Sequence, residues 1–355
     1  MTRKEFIGAA FAATAVGAFA PAAFAAKPED IRAVLLHLGM NMWGDWRAPD
    51  EPKVAGKRYA NEEISFSEPI WKRTVEHAAK RGYNMVVMDL GEFMEFPSHP
   101  ELAVKGSWPA AKMAAEVKRL KAMGLEPVPK LNFSTSHDSW LKVYHRMVSS
   151  NAYYKVCADL IKDTCDVFGH PRYFHIGFDE ERYENQRKDA FAVIRQGELW
   201  WHDLKWFCRG VEKLGARPWM FSDYGWRHPE FVEKCPKSVL QSNWYYNEDV
   251  QGYDVAQMSD WFKPKLRLFD DLDKAGFDQV PCPSNWVSPK QKDAGKTDNS
   301  DCAAEVVKYC RAHVASERLK GFLMASWTDC AGEGTYKFNC AGMDQLADAM
   351  GSPAV

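Results

Sequence analysis

Tyr173-Phe174-His175-Ile176-Gly177-Phe178-Asp179-Glu180-Glu181 begins as an apolar, aromatic run suited to a buried strand and ends in three consecutive carboxylates. Adjacent acids repel one another, so a strand packed for stability alone would not end this way. At the mouth of a pocket the same cluster can hold a proton and a charge side by side. The competing reading is a solvated loop after a strand, with Glu181 an exposed charge or a partner for Arg182. The rest of the chain decides between them.

Working outward, apolar runs alternate with segments of helical period. Upstream, the pattern predicts strands over 33–38 (running on to Trp43), 83–90 and 125–133. Helices over 68–82, 109–123 and 151–168 follow them in turn. Downstream it predicts strands over 217–221, 238–246, 279–286 and 321–327, the third of these weak. Helices fall over 198–214, 229–234, 261–275 and 301–319, with a short last helix over 343–350. Eight strand-then-helix units predict an α/β fold, the (β/α)8 TIM barrel, as one domain over 27–355. An open doubly wound sheet is the alternative, but no G-x-G-x-x-G follows the first strand.

A barrel gathers its chemistry at the C-terminal strand ends. Those ends supply His37 and Asn41, Asp89 and Glu92, Asn132 and His137, Asp179 and Glu180, and Asp223. Asn243 with Trp244, Asn285 with Trp286, and Trp327 with Asp329 complete the set. Carboxylates with Trp and Asn suit a sugar site, where indole faces cover pyranose C–H surfaces and short polar groups hold hydroxyls. His37 and His175, on apolar strands, read as hydrogen-bonded core residues, and Trp200, Trp201 and Trp206 as helix packing.

Phe174-His175-Ile176-Gly177-Phe178-Asp179-Glu180 resembles the H-I-G-G-D-E strand of family 20 glycoside hydrolases, the β-N-acetylhexosaminidases. In the family's order, Pro127 through His137 is similar to the segment carrying a substrate-site His. Pro218 through Asp223 resembles the fifth strand, Gln241-Ser242-Asn243-Trp244 the sixth with its pocket Trp, and Ser326-Trp327-Thr328-Asp329 the W-x-E of the eighth. The chain departs from the pattern at Phe178 for the second Gly, at Asp329 for Glu, and in lacking an Arg on the first strand. Tyr246, with Tyr224 and Tyr245, is a candidate for the tyrosine that holds the acetamido group.

The resemblance implies that Glu180 protonates the leaving oxygen. Asp179 would orient the substrate's own 2-acetamido group for attack on the anomeric carbon, the substrate-assisted route. It implies substrate contacts from His137, Trp244, Tyr246, Trp327 and Asp329, and the strand-end reading adds Asp89, Asp223 and Trp286. Alternation along the strand would turn Asp179 to the barrel axis and leave Glu180 at the rim, with its proton affinity raised by Asp179. Two rivals remain: a two-carboxylate glycosidase acting on a sugar without an N-acetyl group, and a sugar-binding barrel without catalysis.

Composition bounds the rest. The 355 residues are 46% apolar and 13% aromatic, enough for a large core, and a net charge of −2 without a basic run gives nucleic acid no footing. Arg3-Lys4, an apolar Ala/Phe run, Pro21 and Ala23-Phe24-Ala25 read as an export signal over 1–26, with a hint of the twin-arginine type. The protein is then periplasmic or extracellular, without stable membrane insertion. Nine cysteines, all beyond residue 26, include no C-x-x-C. With no H-x-H after the first strand, no metal or cofactor is called for, and the expected partner is a glycan.

Overall fold

The structure is a computed structural model that describes residues 30–351, apart from 48–49, 51, 53–58, 188, 247–259, 261, 289–291 and 293–298. The export signal read over 1–26 lies outside the described residues.

Six parallel strands follow in chain order: Ile31–His37, Met85–Asp89, Glu126–Lys130, Tyr173–His175, Arg217–Phe221 and Leu240–Ser242. The eighth barrel strand, Gly321–Ala325, returns to pair with the first, Ala33 opposite both Leu323 and Met85. Their central residues are buried on both faces, as continuous Val/Leu/Met runs require in a parallel sheet covered by helices.

The weak seventh strand is present only as isolated bridges, and proline explains why. Residues 279–283 run between the sixth and eighth strands, Gln279 bridging Gln241 on one side and Leu319 on the other. Toward the sixth strand, Val280 and Cys282 donate to Gln241 and Asn243 carbonyls at 2.8 and 3.0 Å. Toward the eighth, Pro281 and Pro283 accept from Leu323 and Ala325 at 3.0 and 3.3 Å but have no N–H to return. This stave closes the (β/α)8 barrel with half a ladder.

The helices predicted over 68–82, 109–123, 151–168 and 198–214 form at Glu68–Lys80, Ala110–Ala122, Asn151–Val167 and Glu198–Lys213. Ile70, Trp71, Val75 and Ala78 are buried on the first, as their spacing requires. The last helix is a correction: it spans Glu333–Met350, more than twice the predicted length. Gly334, Asn339 and Gly342 are weak helix formers that hid it. Packing overrides them, and a Cβ on Gly342 would stand 2.7 Å from Ser326 Oγ and 2.9 Å from Asn285 Oδ1. All nine cysteines are buried and none forms a disulfide.

Candidate active site

The fourth strand ends at His175, and the chain then turns sharply. Gly177, Phe178 and Glu180 have φ of 71°, 69° and 56°, a left-handed conformation that side chains other than Gly rarely adopt. Asn132, from the end of the third strand, is the template. Its Oδ1 accepts from the N–H groups of Phe178 (3.3 Å) and Ser134 (3.1 Å), while its Nδ2 donates to Asp179 Oδ1 at 2.9 Å. A Cβ on Gly177 would lie 2.0 Å from Asn132 Oδ1, so only glycine lets the two loops close. From the fifth strand end, Asp223 Oδ2 accepts the Glu180 N–H at 2.9 Å.

Glu181 corrects the sequence reading. It is buried and bound to Arg195, not Arg182. Its Oε1 accepts from Arg195 N and Nε, both at 3.0 Å, and its Oε2 from Thr135 N at 3.2 Å. Arg195 also pairs with Asp203 at 3.3 Å, donates to the Phe133 carbonyl, and lies 4.7 Å from the centre of the Phe178 ring. The third acid thus anchors the turn carrying the first two. Phe178, where the resembling motif has Gly, is seated by that guanidinium, Trp200 and Phe207. Arg195 lies in an irregular stretch without periodicity, and the only signal for it was an unexplained third carboxylate.

Because the turn breaks strand alternation, Asp179 and Glu180 do not diverge as predicted. Both face His137: Nε2 is 3.5 Å from Asp179 Oδ2 and 3.4 Å from Glu180 Oε2, while Nδ1 meets the Met42 carbonyl at 3.2 Å. Burial alone would strip the imidazole of its proton, but the two carboxylates outweigh it and raise His137 to about 9. A second correction follows for Glu180. Burial pushes its carboxyl up, yet His137 and Arg182 (3.6 Å from Oε1) prevail and hold it below its ordinary value. Asp223 takes the opposite course, raised to about 7 by burial and by the charge of Asp179.

An aromatic wall rises beside these groups. Trp43 meets His137 edge-on at 5.3 Å and Trp327 at 6.2 Å; Trp327 lies 6.4 Å from Tyr246, which stacks on Trp244 at 5.0 Å and meets Trp286 at 6.0 Å. Trp244, Tyr246, Trp286 and Trp327 are therefore one array, joined to the carboxylates through Trp43. Sequence reasoning placed Trp43 at the end of the first strand and missed its role as the link. Of the other tyrosines considered, Tyr224 is sandwiched between Trp200 and His228 at 3.6 and 3.7 Å, and Tyr245 is fully buried.

One predicted contact, Asp89, lies out of a sugar's reach. Asp89 is fully buried beneath the array, bound to Lys130 and 3.1 Å from His37 Nδ1, so no sugar reaches it. Burial raises its proton affinity, but Lys130 and His37 outweigh this and hold it ionised. Asp329 turns Oδ1 back onto the Ala331 N–H at 3.1 Å, shaping the entry to the last helix. His175, in the core, accepts the Gly177 N–H on Nδ1 at 3.1 Å, and its burial keeps it neutral. No cluster of metal ligands occurs among the described residues.

With this geometry in place, known structures can be compared. The barrel has the fold of the GH20 hexosaminidases. A chitobiase from Flavobacterium johnsoniae superposes with a TM-score of 0.57 at 17% identity, over 79% of this chain and 46% of that one. Dispersin B matches at 0.58 and 14%, over 89% and 98%. A β-hexosaminidase from Streptomyces plicatus, determined with its product GlcNAc, matches at 0.61 and 12%, over 90% and 64%. The chain thus spans under half the length of the Flavobacterium chitobiase. No family model and no curated protein sequence matches it.

Proposed function

We propose that the chain is an exported glycoside hydrolase, its barrel over 27–355 releasing N-acetylhexosamine from glycans by substrate-assisted, retaining catalysis. One observation carries the reading. Two adjacent carboxylates share a single histidine at a barrel rim, beside a continuous wall of Trp43, Trp327, Tyr246 and Trp244. The common fold with GH20 enzymes supports it, as does the leader-like segment over 1–26. No helix among the described residues is long and apolar enough to cross a membrane.

In this mechanism the pyranose lies against the indoles. Asp179, fixed by Asn132, accepts the acetamido N–H and turns the acetamido oxygen toward the anomeric carbon. That oxygen attacks as the glycosidic bond breaks, closing an oxazolinium ring, and Glu180, in the minority of molecules that hold it protonated against His137 and Arg182, delivers that proton to the departing oxygen. Water then opens the ring while Glu180 takes the proton back. His137, charged between the two acids, lets both sit within hydrogen-bonding range of one sugar. Tyr246, on the wall and kept protonated by burial, is the hydroxyl for the acetamido oxygen.

The test is Glu180→Gln. Hydrolysis of glycosides with poor leaving groups should fall about 10²–10⁴-fold, while activated aryl glycosides are spared far more. Equal loss on both would remove Glu180 from the acid's role.

A further inference from the structure

We propose that Glu92 is a positioning residue for this reaction: its carboxylate grips the loop after the first strand and so holds the Met42 carbonyl against His137. The inference rests on the glycosidase reading and extends its machinery one layer behind the site. Glu92 follows the second strand in a single helical turn over 91–93 and is 2% exposed. Its Oε1 accepts from Met40 N at 2.7 Å and Asn41 N at 3.1 Å, and its Oε2 from Asn41 N at 3.2 Å. The two preceding amides, Leu38 and Gly39, donate to the Asp89 carbonyl at 2.9 and 3.2 Å. Four successive N–H groups of one loop therefore end on one short stretch, Asp89 to Glu92. The two segments are in direct contact, since a Cβ on Gly39 would stand 2.3 Å from the Leu90 carbonyl oxygen and 2.8 Å from Glu92 Oε2.

A buried carboxylate is a costly way to seat a loop. Burial pushes Glu92 up to about 7, and its charged neighbour Asp89 has the same sign, while the amides of Met40, Asn41 and Glu92 itself favour the ionised form. What the grip secures lies immediately downstream. The Met42 carbonyl meets His137 Nδ1 at 3.2 Å, and Trp43 meets the same imidazole edge-on at 5.3 Å. With Nδ1–H given to Met42, Nε2–H is left for Asp179 and Glu180, at 3.5 and 3.4 Å. The Met42 carbonyl, like the two acids, favours the protonated ring. A shift of the loop by about 1 Å would loosen that bond and move Trp43 against the imidazole. Glu92 thus acts on the two acids through Met42 and His137, without touching the substrate.

The test follows His137 and turnover in the full chain carrying Glu92→Ala or Glu92→Gln. Alanine removes the grip. Glutamine has the same shape and keeps one acceptor, but turns an NH2 toward the Asn41 amide, and it serves alone if the alanine variant does not fold. NMR of ring-labelled histidine, with the His137 signal assigned from His137→Gln, reads the imidazole's titration without substrate. Its midpoint should fall from about 9 by about one unit in Glu92→Ala, the worth of one hydrogen bond, and by less in Glu92→Gln. On an aryl N-acetyl-β-glucosaminide, kcat per folded molecule should fall about 10- to 100-fold in Glu92→Ala and less in Glu92→Gln. If no glycoside is hydrolysed, the glycosidase reading fails, while the titration still decides whether Glu92 sets His137. Variants that lose stability yet titrate His137 as the wild type does, or that keep its kcat, would overturn the inference. So would a Glu92→Gln protein identical to the wild type in both.

Discussion

Replacing His137 with Gln should remove a pH-dependent part of the stability. The imidazole is lifted from its ordinary 6.5 to about 9 because, although burial opposes the charge, Asp179 and Glu180 face the same nitrogen. At about 1.4 kcal/mol per unit, that difference amounts to about 3 kcal/mol. The folded protein holds the proton more tightly than the unfolded chain. The contribution is therefore fully present below pH 6.5 and is lost as pH rises through about 9. Glutamine keeps hydrogen-bonding capacity but no charge, so it leaves the two carboxylates repelling each other at every pH above their ionisation. Urea unfolding of both proteins, from about pH 6 to about pH 10, gives the free-energy difference at each point. That difference should be about 3 kcal/mol at the acid end, should fall between about pH 6.5 and about pH 9, and should be nearly gone at about pH 10. A difference constant throughout would mean that His137 carries no extra proton, and the shared-cation account of the two acids would fall with it.

Three further substitutions probe the scaffold. Gly177→Ala forces a Cβ to within 2.0 Å of Asn132 Oδ1 at a φ of 71°, so it should displace the residue that holds Asp179. kcat should fall at least about 10²-fold with the fold retained by circular dichroism. Arg195→Met strands the buried carboxylates of Glu181 and Asp203 and should cost about 3–5 kcal/mol in chemical denaturation. Trp327→Ala removes the ring that links Trp43 to Tyr246 and should weaken sugar binding in calorimetry by about tenfold or more, with unfolding still cooperative.

Where sequence and structure agree, the reason is periodicity. Continuous apolar runs gave the strands, the 3.6-residue spacing of Ile70, Trp71, Val75 and Ala78 gave a helix face, and residues just beyond the strands gave Asp179, Glu180, Trp244 and Trp327. The missed features are those without a period. Pro281 and Pro283 thin the seventh strand because they accept but cannot donate. The last helix forms through its packing against Ser326 and Asn285 although Gly334, Asn339 and Gly342 disfavour it. The left-handed turn at Gly177, Phe178 and Glu180 depends on contacts with Asn132, Asp223 and Arg195, all distant in sequence. For the same reason the direction of the Glu180 shift was misread. Neighbouring Asp179 was visible in the chain, whereas His137 and Arg182, which prevail, take their places only in the folded turn.

The central claim is that the sugar's own acetamido group is the nucleophile, steered by Asp179. The most direct measurement compares kcat/KM for an aryl N-acetyl-β-glucosaminide with that for the matching aryl β-glucoside. The account predicts a preference for the acetylated sugar of about 10³-fold or more, the scale of a well-placed intramolecular nucleophile, and its collapse in Asp179→Ala. Comparable rates on the two glycosides, or a preference indifferent to Asp179, would contradict it.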